Sequence, residues 1–397
     1  MTDKPQFVGQ KVKLSDICSI VSGATPKTTV KDYWGGDIKW ITPSELNDDS
    51  HVIYNTAKHL TEAGFASARL RMFPEGTVLL TTRAPIGKVA IAGEPMCCNQ
   101  GFKNLVCSDA VNNEYLYRYL KNRSSELQVL GRGATFKELS KKEVAAYEIN
   151  LPPLKRQLEA VEKLALVDKQ VVIAKTQLDK LDSLVKSRFI EMFGDPVEEN
   201  RWARITLASL CTKLGSGATP RGGKAAYKTS GIPLIRSMNV HNGYFESKDL
   251  AYIDEIQAKK LDNVTLHKGD VLLNITGASV ARSCLLPDYL AGGRVNQHVS
   301  IVRCDPNRML PRVLNSIFTS DSYQRFLLEH SRMAGATREA ITKDDLETMT
   351  VPLPPLSLQY KFAAFVAQVD KSRFVAQQQI EKLQMLYDSL AQEYFGD

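Results

Sequence analysis

The chain repeats itself at a fixed distance. Three short stretches lie 202 residues from their copies: FGD at 193–195 and 395–397, LPPL at 151–154 and 353–356, and GAT at 133–135 and 335–337. One shared tripeptide arises by chance, but three at one offset indicate a duplication. A period this long constrains the fold first, because each copy must form the same structural unit.

Upstream of these stretches the offset drifts. SGATP at 22–26 returns at 216–220, EGTVLL at 75–80 aligns with KGDVLL at 268–273, and NQ at 99–100 returns at 296–297. Surface loops tolerate such changes of length, whereas a packed helical seam does not. Each copy therefore consists of a loop-rich module followed by a segment that keeps its register.

The segments that keep their register are predicted to be long helices. Apolar residues recur at steps of three and four, which is a helical spacing close to the heptad pattern. In the first copy they are Leu154, Leu158, Val161, Leu164, Val167, Val171, Ala174, Leu178, Leu181, Val185, Phe189 and Met192, and in the second Phe362, Phe365, Val369, Ala376, Ile380, Leu383, Tyr387, Leu390 and Tyr394. Pro152-Pro153 precede the first helix, and Gly194 and Pro196 follow it. A helix of about 39 residues is roughly 58 Å long.

We interpret the two stripes as a coiled coil, although an amphipathic stripe is also typical of an ordinary helical core. Two equivalent units in one chain associate most simply about a pseudo-twofold axis. This symmetry predicts antiparallel helices with the two modules at opposite ends. The predicted seam residues are Val171, Leu178, Leu181, Val185, Ile380, Leu383, Tyr387 and Leu390.

The fold class predicted is mixed α/β, with two globular modules and two long helices. The boundaries are 1–150 for the first module, 151–195 for the first helix, 196–350 for the second module and 351–397 for the second helix. Short apolar runs beside Gly and Pro predict strands at 78–80, 89–91, 271–273 and 298–302. Helices are expected at 114–130 and 310–329.

Composition restricts the class of protein. No apolar run approaches the 18 to 20 residues or so of a membrane span, and the first residues contain no apolar core of a signal peptide. The seven cysteines are scattered without a C-x-x-C pair, which favours reduced thiols in a cytoplasm. The net charge of +7 lies mainly in the modules, where 19 Lys and Arg face 16 Asp and Glu in the first and 20 face 16 in the second. A basic module can attract a polyanion, but this excess is small.

No catalytic signature stands in the sequence. The nearest approach to a phosphate-binding loop, GATPRGGKA from Gly217, has one residue too many before Lys224 and places Ala225 where a hydroxyl is needed. The six histidines have no metal-ligand spacing. His298 is the one histidine in a repeated motif, and Gly101 is its counterpart. We therefore expect no catalytic residue and no metal site, and interpret the chain as a reader or a scaffold.

The arrangement of motifs, made twice, resembles the specificity subunit of a Type I restriction–modification system. The motifs that carry the likeness are SGATP with YWGGDIKWI (33–41), KGDVLLNITGASVAR (268–282), GGRVNQHVSIVR (292–303), GATREAITKDDL (335–346) and VPLPPLSLQ (351–359). The likeness extends over essentially the whole chain.

The resemblance implies a function and partners. In this family each module is a target recognition domain that reads one half of a bipartite DNA site, and the helices form an antiparallel spacer. The implied partners are double-stranded DNA, two methylation subunits and restriction subunits, with no membrane. S-adenosylmethionine, ATP and Mg²⁺ are expected on the partner subunits, and no cofactor is expected on this chain. Because the modules differ in sequence, we expect unlike half-sites at a fixed spacing.

Candidate DNA contacts are amide and basic residues near the repeated motifs, since such side chains reach base edges and phosphates. They are Lys27, Arg83, Lys88, Lys103, Arg132 and Lys137 in the first module, and Arg221, Lys224, Arg236, Asn239, Arg282, Arg294, Gln297 and Arg338 in the second. For Asn99 and Asn296 the sequence favours turn capping over base reading. Specificity should lie where the two copies differ.

Two other classes of function remain open at the level of sequence. One is a structural adaptor whose coiled coil gathers partners and whose modules bind protein. The other is an enzyme with an unrecognised site.

Overall fold

The structure is a computed structural model that describes residues 9–83, 85–131, 137–198, 200–220, 222–333 and 339–396. It divides into two compact units. The first unit comprises Met1–Lys175 and Gln378–Asp397, and the second comprises Thr176–Gln377. The boundaries predicted from sequence follow the repeats, whereas each compact unit combines one module with parts of both long helices.

The first unit contains ten strands and five short helices among its described residues. The strands are β1 (Gln10–Lys13), β2 (Cys18–Ser22), β3 (Trp34–Ile41), β4 (Val52–Ile53), β5 (Lys58–Leu60), β6 (Val78–Thr82), β7 (Ile86–Ala92), β8 (Cys97–Cys98), β9 (Lys103–Cys107) and β10 (Glu148–Leu151). The helices are α1 (Leu14–Ile17), α2 (Glu62–Ser67), α3 (Asn113–Asn122), α4 (Ser124–Leu130) and α5 (Lys141–Ala146). The first long helix, α6 (Leu154–Phe193), begins in this unit.

The described part of the second unit contains nine strands and five short helices. The strands are β11 (Arg204–Thr206), β12 (Cys211–Ser216), β13 (Ile232–Ile235), β14 (Ala251–Ile253), β15 (Val271–Asn274), β16 (Ser283–Leu285), β17 (Arg294–Val295), β18 (Val299–Cys304) and β19 (Thr350–Pro352). The helices are α7 (Leu207–Leu210), α8 (Glu255–Lys259), α9 (Pro311–Thr319), α10 (Asp321–Met333) and α11 (Lys343–Thr348). The second long helix, α12 (Leu356–Phe395), begins here.

The two modules have the same sheet topology. The order β2-β9-β6-β7-β4 corresponds to β12-β18-β15-β16, the order β5-β3-β8 to β14-β13-β17, and the pair β1-β10 to β11-β19. One strand pair is parallel at the same place in each module, β3 with β8 and β13 with β17. The duplication seen in the sequence is therefore a duplication of the fold, with β4 added at one edge in the first module.

The predicted strands are confirmed. Val78 pairs with Ile91 across the antiparallel strands β6 and β7, and β15 pairs with β18. Strand β18, predicted at 298–302, begins at Val299, one residue later than predicted, and continues to Cys304.

The two predicted helices of the modules are each broken into two. The first is interrupted at Arg123 and the second at Ser320. The Ser320 hydroxyl donates to the carbonyl of Ile317 at 2.7 Å and accepts from the N–H of Tyr323 at 3.4 Å. A serine that bonds the backbone in this way ends one helix and caps the next.

The long helices lie inside the predicted segments 151–195 and 351–397, whose first residues belong instead to β10 and β19. Each has 40 residues and follows a Pro-Pro pair. Gly194 and Gly396 end them with φ of 78° and 70°, and their N–H groups donate to the carbonyls of Ile190 and Gln392 at 2.8 and 3.1 Å. This left-handed terminus favours glycine, which explains the glycine of the repeated FGD.

The helices run antiparallel within each unit. In the first unit, Arg156 pairs with Glu393 at 2.9 Å, and Asp168 and Tyr387 both interact with Arg118. In the second, Asp182 pairs with Arg373, and the Phe189 and Phe362 rings lie 5.6 Å apart. In both units residue numbers fall along α12 as they rise along α6.

All eight predicted seam residues are half-buried, between the buried and the exposed faces of their helices. Val185 packs against the core of the second unit, and Tyr387 and Leu390 against that of the first. The predicted stripe was wrong at its start, because Leu154 and Leu158 are 46% and 50% exposed. Leu158 precedes Leu164 by six residues, and this spacing turns the two side chains to different sides of a helix with 3.6 residues per turn.

The end of each long helix is buried in a module core. Tyr394 and Phe395 belong to the core of the first unit, where the Tyr115 hydroxyl donates to the carbonyl of Tyr394 at 3.1 Å. Phe189 and Phe193 belong to the core of the second unit. The repeated FGD thus marks where a helix enters a module core and stops.

Candidate nucleic-acid interface

The SGATP motif forms the same joint in both modules. It lies against the turn that carries NQ: the Thr25 hydroxyl donates to Oε1 of Gln100 at 2.5 Å, and the Thr219 hydroxyl donates to Oε1 of Gln297. A Cβ on Gly23 would lie 1.9 Å from the carbonyl oxygen of Cys98, and one on Gly217 would lie 1.8 Å from that of Val295. Only glycine permits this approach, so the repeated motif is a structural frame.

Asn99 and Asn296 cap the same turn. The Oδ1 of Asn99 accepts the N–H of Gly101 at 2.9 Å, and the Oδ1 of Asn296 accepts that of His298 at 3.1 Å. The prediction that these residues cap a turn is confirmed.

A charged cluster lies beside this frame in the first module. Glu138 is 4.0 Å from Arg83 and 3.8 Å from Lys103. The Lys103 Nζ also donates to the carbonyl of Gln100 at 3.4 Å. Burial lowers the pKa of Lys103, and Glu138 offsets part of that shift. Arg83 and Glu138 keep more than a third of their side-chain surface exposed, and Lys137 is exposed next to them. We call Arg83, Lys103, Lys137 and Glu138 the first-module cluster.

The equivalent place in the second module has different chemistry. The bridge between Arg83 and Glu138 corresponds to one between Thr276 and Ala340. The Thr276 hydroxyl lies 2.5 Å from Nδ1 of His298, and Gln297 lies 3.0 Å from the other ring nitrogen. Ser300 replaces Lys103. One frame therefore presents a charged group in the first module and hydroxyl, amide and imidazole groups in the second.

Several predicted contacts in the second module have internal partners. Asn239 is fully buried, and its side chain donates to the carbonyls of Glu246 and Lys248 at 3.0 and 3.2 Å. Arg294 is 7% exposed and pairs with Asp262 at 2.6 Å. These bonds give both side chains a structural role. Their contact with DNA remains a prediction, but the arrangement does not bring them to the surface.

The other predicted contacts are more accessible. Lys27 is exposed, whereas the Lys88 Nζ donates to the carbonyl of Leu46 at 2.7 Å. Arg236 donates to the carbonyl of Asp249 and lies over the Tyr227 ring at 5.4 Å. Arg282 is half-buried, and its guanidinium has no partner among the residues that the structure describes. Outside those residues lie Arg132, Arg221, Arg338 and the side chain of Lys224.

Two buried glutamines that sequence reasoning did not assign join each module to its helix. Gln157 accepts the N–H of Asn112 at 2.8 Å and donates to the carbonyls of Ala110 and Pro152 at 3.1 and 2.9 Å. Gln359 makes the same three bonds to Leu310, Arg308 and Pro354, at 2.8, 3.0 and 2.8 Å. The signal was available, because both glutamines stand three residues after a copy of LPPL.

Within the described ranges, no group of three or more His, Cys, Asp or Glu could hold a metal ion. In the same ranges, no helix combines the length and the apolar character that crossing a membrane requires.

Comparison with known proteins agrees with this architecture. Residues 9–183 and 199–385 each match the family model of the Type I restriction modification DNA specificity domain. The chain is 30% identical to the MjaIX specificity subunit of Methanocaldococcus jannaschii over 95% of its length and 90% of that protein. It is 20% identical to the EcoKI specificity subunit of Escherichia coli, over 75% of this chain and 68% of that one.

Solved structures show the same fold. An S subunit from M. genitalium superposes with a TM-score of 0.56 at 13% identity, over 100% of this chain and 98% of that one. A chain solved in work on complex assembly and conformational transition of the type I R-M system gives a TM-score of 0.60 at 17% identity, with 98% of each chain covered. The fold thus defines a protein with two specificity domains on paired helices. The chain belongs to the family of Type I restriction–modification DNA specificity subunits.

Proposed function

We propose that this specificity subunit reads a bipartite, asymmetric DNA site, with one module on each half and a fixed gap between them. The observation that carries the proposal is the repeated frame with unlike side chains beside it. The SGATP joint, the Asn cap and the sheet order recur, while Arg83 and Lys103 correspond to Thr276 and Ser300. Lys103 and Ser300 are themselves buried, whereas Arg83 and Thr276 are partly accessible at equivalent positions. Two copies of one scaffold with different accessible groups suit two different base sequences.

Sequence selection tests the bipartite reading. Duplexes with random bases are selected by the assembled complex, and the bound sequences should contain two unlike conserved blocks at one spacing. The gap should remain constant, because half-site spacing follows protein geometry. A single block, or two identical blocks, would refute the proposal.

Salt dependence tests the electrostatic part. Each phosphate contact contributes a log–log slope of about −0.9. Arg83→Gln removes a charge from the first-module cluster, so we expect a slope shallower by about one such contact. The matched control is Lys11→Gln, at an exposed position on β1, where we expect no change of slope. A wild-type affinity that does not respond to salt would favour the adaptor, the alternative left open by the sequence.

The partners proposed are two methylation subunits, together with restriction subunits. Support for two equivalent docking surfaces comes from exposed apolar residues at matching positions of the two long helices. Ile173 and Leu184 are 49% and 47% exposed, and their counterparts 202 residues later, Val375 and Leu386, are 62% and 47% exposed. A spacing of 11 residues is close to three helical turns, so each pair lies on one side of its helix. Exposed apolar residues in register suit partner helices.

Paired variants test the docking surfaces. Ile173→Glu and Val375→Glu are each expected to reduce the number of methylation subunits that co-purify from two to one, and the double variant to none. The control is Ile256→Glu, at a position on α8 that is 74% exposed. Full occupancy in the double variant would contradict the placement.

We propose further that catalysis resides in the partner subunits, with S-adenosylmethionine serving methylation and ATP with Mg²⁺ serving translocation and cleavage in the cytoplasm. The adenine must leave the helical stack to be methylated, a step carried out by the partner. The purified chain with DNA, S-adenosylmethionine and Mg²⁺ is expected to show no turnover. Methyl transfer by this chain alone would support the enzyme alternative.

A further inference from the structure

Each module places two cysteines opposite one another on neighbouring strands. Cys18 on β2 pairs in register with Cys107 on β9, and Cys211 on β12 with Cys304 on β18. All seven cysteines are free thiols. The two pairs occupy equivalent positions, since these strands correspond between the modules.

The backbone bonds show which kind of cross-strand position this is. The N–H of Ser108 donates to the carbonyl of Ile17 at 2.9 Å, so the bond lies one residue outside the Cys18–Cys107 pair. In the second module, the N–H of Asp305 likewise donates to the carbonyl of Leu210 at 3.0 Å. Both are therefore non-hydrogen-bonded pairs, in which the Cα atoms are about 4.5 Å apart and the side chains are closest. That separation lies at the short end of the range that a disulfide spans.

The two pairs differ in how the thiols interact. A hydrogen bond between the Cys18 and Cys107 thiols raises the pKa of Cys18 and lowers that of Cys107. Cys107 and its counterpart Cys211 are both half-buried, so one thiol of each pair is partly accessible and the difference between the pairs lies in the hydrogen bonds of the thiols. In the second module, Cys304 donates instead to the carbonyl of Met309 at 3.1 Å, and burial raises the pKa of Cys211 to about 12. The strand is also irregular between Cys211 and Lys213.

We propose that Cys18 and Cys107 form a redox modification site, a dithiol that closes to an intramolecular disulfide by exchange with a small disulfide such as oxidised glutathione. Cys211 and Cys304 remain reduced under the same conditions. The proposal does not depend on the proposed reading of DNA. Cys107 lies at the end of β9 opposite to Lys103 of the first-module cluster.

The exchange takes two steps. The Cys107 thiolate attacks one sulfur of oxidised glutathione, the S–S bond of glutathione breaks, and one glutathione thiolate leaves. Cys18 then loses its proton and attacks the Cys107 sulfur of the mixed disulfide, and the second glutathione leaves. The two protein thiols lose two electrons in total, oxidised glutathione becomes two glutathione molecules, and the two protons from the cysteines pass to the departing thiolates.

The test uses the folded full-length chain. It is equilibrated with increasing ratios of oxidised to reduced glutathione, quenched with acid, alkylated, and digested without reduction for mass spectrometry. We expect a peptide linked through Cys18 and Cys107 that carries no glutathione, while Cys211 and Cys304 are fully alkylated. An absence of linkage, equal oxidation of both pairs, or linkage that forms only in denaturant would each overturn the proposal.

Variants separate closure from simple thiol modification. In Cys18→Ser, glutathione should accumulate on Cys107, because the resolving thiol is missing. In Cys107→Ser, Cys18 should stay reduced. The matched controls Cys211→Ser and Cys304→Ser should close the first pair as the wild type does. A stable glutathione adduct on Cys107 in the wild type would contradict closure, and this wild-type measurement decides the matter even if a variant fails to fold.

Discussion

Gly23 and Gly217 control how closely two chain segments approach within each module. Each lies against a backbone carbonyl, and neither the glycine backbone nor the carbonyl can move without disturbing the SGATP joint. At the scale of single residues, the repeated SGATP motif fixes how the chain segments pack, and the side chains next to it differ in chemistry between the two modules.

Gly23→Ala and Gly217→Ala are expected to destabilise their own modules by several kcal/mol, because the new Cβ would overlap a carbonyl oxygen. Hydrogen exchange followed by mass spectrometry gives the stability of each module separately. The control is Gly215→Ala on β12, where a Cβ would meet only the Lys213 side chain, at 3.9 Å. Similar exchange in Gly217→Ala and Gly215→Ala would contradict the argument.

Asp345 shows how a repeated cap creates pH dependence. Its carboxylate accepts the N–H and hydroxyl of Thr342 at 2.8 and 2.7 Å at the start of α11, and Ser140 and Glu143 form the same capping box on α5. The hydrogen bond from the Thr342 hydroxyl is the main cause that holds the pKa of the Asp345 carboxyl below its usual range. Because the folded-state pKa is the lower one, the stabilisation is complete above about pH 4 and is lost as pH falls through the folded-state pKa.

Asp345→Asn is therefore expected to lower the stability of the second unit by about 1 kcal/mol at pH 7, with a smaller difference near pH 2. Urea unfolding, followed by hydrogen exchange in α11, measures both. The neighbouring exposed Asp344→Asn serves as the control. A difference that does not change with pH would show that the charge of Asp345 is not involved.

The long helices are held by a narrow stripe, because most of their surface is exposed. Only a few residues of α6 outside the module cores, such as Ala174, are fully buried, and the predicted seam residues are half-buried. Ion pairs such as Arg373 with Asp182 lie beside the stripe. The packing of such a helix depends on whether its apolar residues fall on one side of the helix, rather than on the total amount of apolar surface.

Leu181 and Leu184 give a matched comparison within α6. Leu181→Asp puts a charge into the half-buried seam, and we expect a loss of about 1–3 kcal/mol together with weaker assembly. Leu184→Asp changes a side chain that is 47% exposed, so stability should change by about 0.5 kcal/mol or less while partner binding weakens. Thermal unfolding and co-purification distinguish the two. Equal stability of the two variants would show that the seam is misplaced.

At the scale of the whole molecule, the end of a long helix completes each module core. The end of the second long helix completes the core of the first unit, and the end of the first long helix completes the core of the second unit. The first unit takes Tyr394, Phe395 and the carbonyl of Gly396, which accepts a hydrogen bond from Arg123. Asn150 also donates to the carbonyl of Phe395 at 2.6 Å. The second unit takes Phe193, whose carbonyl accepts from Trp202 at 2.8 Å.

Phe395→Ala and Phe193→Ala are expected to act on different units. Each removes a ring that is 2% exposed or less, and loss of such a ring costs about 3–5 kcal/mol. Hydrogen exchange should rise in α3 for Phe395→Ala and in α9 for Phe193→Ala. If Phe395→Ala instead raised exchange in α9, the C-terminal helix would end in the core of its own repeat.

The candidate interface was predictable in part. Repetition indicated SGATP, NQ and LPPL, and residue type near these motifs indicated Arg83 and Lys103, which both lie close to Glu138. Asn239 and Arg294 were chosen by residue type and by their place near the repeated motifs, and burial gives them internal roles. Residue type cannot show whether a polar side chain faces water or a carbonyl, because that depends on segments far apart in the chain.

The sequence by itself determined the duplication and the two long helices, because repeated motifs and the spacing of apolar residues can be read along the chain without knowing what packs against what. The symmetry of the repeat predicted that the helices are antiparallel, and the resemblance of the motifs indicated the class of protein. Tertiary structure alone decided that the last helix completes the first module, that Gln157 and Gln359 fasten each module to a helix, and that Cys18 lies opposite Cys107. Each of these contacts joins residues that are close only after folding. The order of residues in the chain does not show which of several possible partners a side chain contacts, because packing and hydrogen bonding in the folded protein decide it.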